Sequence, residues 1–430
     1  MKTRVFTDTC DTTGTTTQVF TVPVDERLSL TPDGAIFEVI GATLDDTERA
    51  DVLYGYGITD GTDAYAISIH EPDAEATMIP VSAGQDDLTT TNDCIVFIGV
   101  TDASDVTNGT ATISSLGSDA ITITWVENPD TSFIVRVTLF YETDNLSVGF
   151  ETPIGAGSPA LRTTTVSHTT NILISACSAF QTALDGSVNG GTGSDISLGY
   201  ATNDGTTVTQ CSVGWESIAA GTSDVRGKWS IENIVSYAAA ANTSGEVLVD
   251  NFVVDTSFRW SAVVQGFGVI LYMAIETADE ATTGGGSVSG TAVTGLGFQP
   301  DGLFMATTAA NTAADARDRS APNSLSLGIC GTSGSGSTPP TVQHNLGLSA
   351  EDGITTSDVY SMSKAGKMWM FGDGTALTGE GHIASFDADG YDLTVDVTPQ
   401  SNGNYVWLAF KDSATEPAAA TQKFMPIIVD

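Results

Sequence analysis

Phe133-Ile-Val-Arg-Val-Thr-Leu-Phe-Tyr-Glu142 is a short run of β-branched and aromatic residues, apolar at both odd and even positions. Two other stretches have the same texture: Phe267-Gly-Val-Ile-Leu-Tyr-Met-Ala-Ile-Glu276 and Asn404-Tyr-Val-Trp-Leu-Ala-Phe-Lys411. Such runs are too short for a core helix and too rich in strand formers for a loop. A strand that is apolar on both faces is expected to be covered on both faces. Their ends, Glu142, Glu276 and Lys411, recur at about 135 residues, which is the size of one domain.

Further markers keep the same order around these strands. An opening strand follows a turn at Pro32-Asp-Gly-Ala-Ile-Phe37, Thr169-Thr-Asn-Ile-Leu173 and Pro300-Asp-Gly-Leu-Phe304. A glycine-bearing strand comes next, at Leu53-Tyr-Gly-Tyr56, Leu198-Gly-Tyr200 and Leu325-Ser-Leu-Gly-Ile329. Polar tetrads then precede another strand, at Thr91-Asn-Asp-Cys94, Thr222-Ser-Asp-Val225 and Thr356-Ser-Asp-Val359. Ordered markers at one period are the signature of internal repetition. The expectation is an all-β chain of three tandem β-sandwich or jelly-roll-like repeats: 1–141, 142–276 and 277–413, with a C-terminal tail at 414–430. Thr282-Thr-Gly-Gly-Gly-Ser287 has the composition of a flexible linker or loop.

Local patterns agree with strands. Tyr391, Leu393, Val395 and Val397 alternate with Asp392, Thr394, Asp396 and Thr398, the period-two pattern of a half-buried strand. Ile121, Ile123 and Trp125 alternate with Thr122 and Thr124 in the same way, while Asp60-Gly61, Asp204-Gly205 and Asp373-Gly374 mark turns. Helical periodicity goes no further than a turn or two, around Ala238 to Ala241.

Fifteen basic residues against 53 acidic ones give a formal net charge of −38. That charge repels nucleic acid and anionic membrane surfaces, so neither is an expected partner. Five cysteines, Cys10, Cys94, Cys177, Cys211 and Cys330, lie among apolar strand residues without C-x-x-C spacing and read as buried thiols. His70, His168, His344 and His382 lack metal-ligand spacing, so no metal site is expected. His70, His344 and His382 read as surface side chains. No apolar segment follows Met1-Lys-Thr-Arg-Val-Phe6, which fits synthesis in a host cytoplasm without a secretory signal.

The third repeat opens with Gly297-Phe-Gln-Pro-Asp301, continues to Phe386-Asp-Ala-Asp-Gly-Tyr391 and closes near Asn402-Gly-Asn-Tyr-Val-Trp407. This resembles a domain of tail-fibre-like and other virion proteins of marine and environmental phages. The first repeat keeps only Thr31-Pro-Asp-Gly34, and the basic positions are reduced to Arg317-Asp-Arg319. The resemblance implies a virion-associated module and transfers no catalytic residue.

Constellations that carry chemistry are sparse. Gly-x-Ser-x-Gly is absent. Asp387-Ala-Asp-Gly-Tyr-Asp392 starts like a calcium loop but lacks the later glutamate, and it reads as a turn. Gly284-Gly-Gly286 lacks the Gly-Lys-Thr/Ser of a phosphate loop. Trp125, Trp260 and Trp407 fall on core positions by periodicity, with Trp215, Trp229 and Trp369 open to either role. The expectation is therefore a non-enzymatic structural protein of a phage particle, a capsid decoration or cement protein. It has no catalytic residues, metal or cofactor and no assigned binding residue. Its partners are other virion proteins or further copies of itself. The alternative is a carbohydrate-binding, adhesive tail-fibre protein that grips a host-surface glycan.

Overall fold

The computed structural model describes residues 1–411 except 13–15, 44, 48, 72–80, 86–92, 102–103, 152–159, 179–187, 191–192, 220–222, 237–245, 254–256, 265–267, 291, 310–322, 332–339, 341, 352–358, 373–375 and 400–402. The tail, Arg317, Arg319, Ala238 to Ala241, the Asp373-Gly374 pair and parts of the polar tetrads lie outside the described residues. What is described is almost entirely antiparallel strand, with one short 3-10 turn at Val24–Glu26. Three large sheets each face a four-stranded sheet across a core of their own.

In the first sandwich the large sheet runs, in spatial order, Lys2–Thr9, Ile134–Tyr141, Gly34–Ile40, Val52–Thr59, Ala64–Glu71 and Val81–Gln85. Its small sheet runs Thr17–Thr21, Ala120–Glu127, Ser104–Leu116 and Asp93–Thr101. The second sandwich repeats that order with Asn145–Glu151, Val269–Glu276, Ile172–Ser178, Gly193–Asn203, Val208–Ala219 and Ser223–Ser230. Ala160–Thr165, Ser257–Val264, Glu246–Val253 and Val235–Ser236 face it. In the third the large sheet is Ala281–Ser287, Asn404–Phe410, Gly302–Thr308, Asn323–Gly331, Val342–Ala350 and Val359–Ala365. The small one is Ala292–Thr294, Gly390–Val397, Leu377–Asp387 and Trp369–Gly372. The closing strands begin at residues 134, 269 and 404, a constant spacing.

The doubly apolar closing strands have a direct explanation. Val135, Val137, Leu139 and Tyr141 point into the first sandwich, whereas Ile134 and Phe140 point out of it into a fourth core. That core is shared: Ile36, Tyr56 and Ile58 meet Ile174, Leu198 and Tyr200, and both meet Phe304, Leu327 and Ile329. Phe140 stacks on Phe304 at 6.0 Å with their planes 2° apart, and Tyr200 tilts against the same ring at 6.2 Å. The large sheets thus turn their outward faces to one another around a common centre.

Two short strands cross the limits drawn from the sequence period. Arg49–Ala50 leaves the first sandwich and pairs with the edge strand Val359–Ala365 of the third. Val188–Gly190, from the second stretch of chain, pairs with the edge strand Val81–Gln85 of the first. Each strap covers backbone groups that an exposed sheet edge would offer to other chains.

The glycine run at 284–286 is a strand, which corrects the linker expectation. Glycine is required there because neighbours lie against the backbone. A Cβ on Gly284 would sit 2.5 Å from Trp407 Cζ2, and one on Gly285 would sit 2.9 Å from Ile231 Cγ2 of the second sandwich. The register shows how the same space is filled three ways: Phe6 opposite Val137, Gly149 opposite Tyr272, and Gly284 opposite Trp407. One partner is large wherever the other is small, as conserved volume demands. Gly284→Val is therefore expected to cost about 1–3 kcal/mol through overpacking, measured as a fall in the urea midpoint. Adding Trp407→Val, which puts at this position the residue that Val137 supplies in the first sandwich and opens space for the new side chain, is expected to return part of that loss.

Candidate functional site

The shared core is closely packed and apolar except at one point. Arg136 stands on the closing strand of the first sandwich, where the second has Leu271 and the third Val406. Its neighbour across the ladder is Glu38, where the others have Ala176 and Ala306. Both charged side chains are buried, and the guanidinium grips the carboxylate through Nε at 2.8 Å and Nη2 at 2.6 Å. Tyr54 donates its hydroxyl to the other carboxylate oxygen at 2.8 Å. Nη1 of Arg136 then crosses to the third sandwich and donates to the carbonyls of Leu327 at 2.7 Å and His344 at 2.9 Å.

Beside this network lies a cavity of about 20 Å³, walled by Ile36, Ile174 and Phe304 from the three opening strands and by Tyr56, Leu198 and Leu327. The three-way equivalence of these walls places the cavity where the three sandwiches meet. It has the volume of about one water and no room for an organic ligand. The arrangement is a structural key: a buried ion pair that distinguishes one of three similar interfaces.

A second polar contact joins the same two sandwiches nearer the surface. Asp45 accepts from Ser363 Oγ at 2.5 Å and lies 3.2 Å from His344 Nε2, while Ser363 Oγ is 3.2 Å from that same nitrogen. Asp46 donates its amide to the Ser363 carbonyl at 2.8 Å, and Ser361 Oγ donates to the Asp51 carbonyl at 2.7 Å. Serine, histidine and aspartate are together here, yet both partners crowd one ring nitrogen. A catalytic relay needs serine on one nitrogen and the carboxylate on the other. This cluster clips a strap to a sheet edge. The hydrogen bond from His344 holds the Asp45 carboxyl below its ordinary range, and burial pushes the His344 imidazole down.

Two histidines differ from the sequence reading. His344 and His70 are buried, because their strands sit in large sheets covered on both faces. Burial lowers His70 to about 4, so its ring is neutral at physiological pH. His382 is half-exposed and pairs with Asp396 at 2.8 Å. All five cysteines are buried thiols.

The Gly297-Phe-Gln-Pro-Asp301 opening, the Asp387-Ala-Asp-Gly390 segment and the closing strand come together in the third sandwich. Asp389, at the hairpin turn between Leu377–Asp387 and Gly390–Val397, accepts from the amides of Gly295 at 3.1 Å and Gly297 at 2.6 Å. Both glycines hold φ near +85°, at +87° and +82°, which a side chain would strain. Gln299 Nε2 donates to the Phe386 carbonyl at 2.9 Å, and Tyr391 meets Trp407 edge to face at 6.0 Å. The Asp-Ala-Asp-Gly segment is a turn with a bracing role.

The recesses described at the surface are open rather than enclosed. One groove between the second and third sandwiches is lined by Asn171, Asn203, Asp204, Asp279 and Glu280 among others. Its acids are engaged: Asp204 accepts the Thr206 and Thr207 amides of its own turn, and Glu280 pairs with Lys411 at 3.2 Å. Trp125, Trp215, Trp260, Trp369 and Trp407 are buried, and Trp229 is packed against the shared core. Trp229 alone of the six is partly exposed. Among the described residues, no group of three or more His, Cys, Asp and Glu side chains is placed to hold a metal ion.

No family model matches the chain, and no curated protein matches it significantly.

The key can be tested against the chain's own other copies. Arg136→Leu alone strands a buried carboxylate and is expected to cost about 3–5 kcal/mol. Arg136→Leu with Glu38→Ala installs the pair found in the second sandwich and is expected to recover most of that loss. A double-mutant cycle by chemical denaturation reads both values.

Proposed function

We propose that the protein is a structural component of a virus particle, a capsid decoration or cement protein of a phage, whose work is to present a rigid three-lobed body. The observation that carries this reading is the shared core. One chain supplies all three large sheets that bury it, so the chain does by covalent linkage what three separate subunits would do by association. A body with approximate threefold form fits a threefold or quasi-threefold position on a shell.

Other features support the same reading. The net charge of −38 favours solubility and discourages adhesion to the packaged nucleic acid. Strand straps cover two sheet edges, which limits unwanted edge pairing on a crowded surface. The serine–histidine–aspartate cluster is spent on holding a strap. The adhesive alternative calls for exposed aromatic platforms, and five of the six tryptophans are buried in cores.

Two measurements test the proposal. Sedimentation of the purified chain is expected to give a monomer near 44.4 kDa; an obligate trimer would overturn the self-contained body. Gradient-purified particles from lysates of cells that make the chain are expected to carry it, detected by immunogold labelling and mass spectrometry. Recovery of the chain solely in the soluble fraction of those lysates counts against a place on the particle.

A further inference from the structure

The interior of the second sandwich contains a group that its counterparts lack. Asp195 on Gly193–Asn203 lies directly opposite Glu216 on Val208–Ala219, and Glu216 lies opposite Arg226 on Ser223–Ser230. All three side chains point toward the small sheet, since Ile196, Trp215 and Val225 point the other way into the shared core. The matching positions are Leu53, His70 and Val81 in the first sandwich and Ser324, Ser349 and Tyr360 in the third.

Asp195 and Glu216 are fully buried. Arg226 Nη1 approaches Glu216 Oε2 at 3.4 Å, and Lys228 is paired with Glu246 from the facing small sheet. Glu216 and Glu246 therefore each have a cation beside them, and no cation is paired with Asp195 among the described residues. Neither of its carboxylate oxygens accepts a hydrogen bond. A buried, unbonded carboxylate beside a second carboxylate is too costly to keep ionised. Something positive has to accompany it, and two carboxylates next to a guanidinium make a poor metal site.

We propose that Asp195 and Glu216 hold one proton between them, and that this proton keeps the second sandwich closed, so that alkaline conditions loosen this sandwich ahead of the other two. Burial, and then repulsion from Glu216, push the Asp195 carboxyl well above its ordinary range, in line with that arrangement. Among the described residues, the charged groups that face the dyad are Arg226 and Lys228 on the neighbouring strand and Glu246 on the opposite sheet. The sign follows from linkage. A carboxyl whose folded pKa is raised favours the folded state while both states are protonated. It withdraws that support as pH rises from the unfolded value, about 3.9, toward the folded one.

The test compares the intact chain with Asp195→Asn, which keeps the shape and removes the titration. Hydrogen exchange of the amides in Gly193–Asn203, Val208–Ala219 and Ser223–Ser230 is followed from pH 5 to 9, after correction for intrinsic exchange. In the intact chain the opening equilibrium of these strands is expected to rise more steeply than in Asp195→Asn, by up to about tenfold per pH unit. Strands of the first and third sandwiches are expected to behave alike in the two proteins. An infrared carbonyl band of a protonated carboxylic acid, present at neutral pH and lost in Asp195→Asn, is the second readout. Equal pH slopes in the two proteins, or absence of that band, overturn the proposal. So does calcium-dependent protection of the same strands, which would make a cation the occupant. If Asp195→Asn does not fold, the infrared band and its pH dependence in the intact chain decide alone.

Discussion

Everything in this molecule depends on the large sheets being buried on both faces. Each packs one face against its own small sheet and the other against two further large sheets. A sheet in that position has both faces covered, and its closing strand is buried along its whole length, so any polar side chain on it, such as Arg136, needs a partner. Covering the second face also leaves little freedom in how the sandwiches sit. Their contact is a continuous buried cluster in which rings such as Phe140, Tyr200 and Phe304 pack together across the three sandwiches.

Three similar faces meeting at a centre create a problem of identity. Apolar contact alone discriminates weakly among similar partners. The Arg136–Glu38 pair supplies a difference, because its extra donor reaches carbonyls that only the third sandwich presents at that point. The strap at Asp45 to Asp51 adds a second difference on the same interface. That interface joins the first and third lobes, which are not adjacent in the chain, so no linker enforces it. Polar specificity has been placed where covalent connection is weakest.

Buried ionisable groups otherwise follow their surroundings. His70 stays neutral in one sandwich, and Asp195 is driven toward its protonated form at nearly the same lattice position in another. The sandwiches share a backbone plan and differ in which buried positions remain titratable.

Periodicity, turn chemistry and β-branched texture in the sequence determined that the chain is all-β, and the double apolarity of 133–142 and 267–276 determined that some strands are covered on two sides. Those properties are local and follow from side-chain alternation along one strand. Only the tertiary structure decided what covers the second face, because a hydrophobic residue such as Ile174 carries no label for its partner. It also decided that Gly284 to Gly286 form a strand, since Trp407, Ile231 and Tyr405 lie far away in sequence and close in space. The burial of His70 and His344 and the isolation of Asp195 were set in the same way, by neighbours that no single strand could specify.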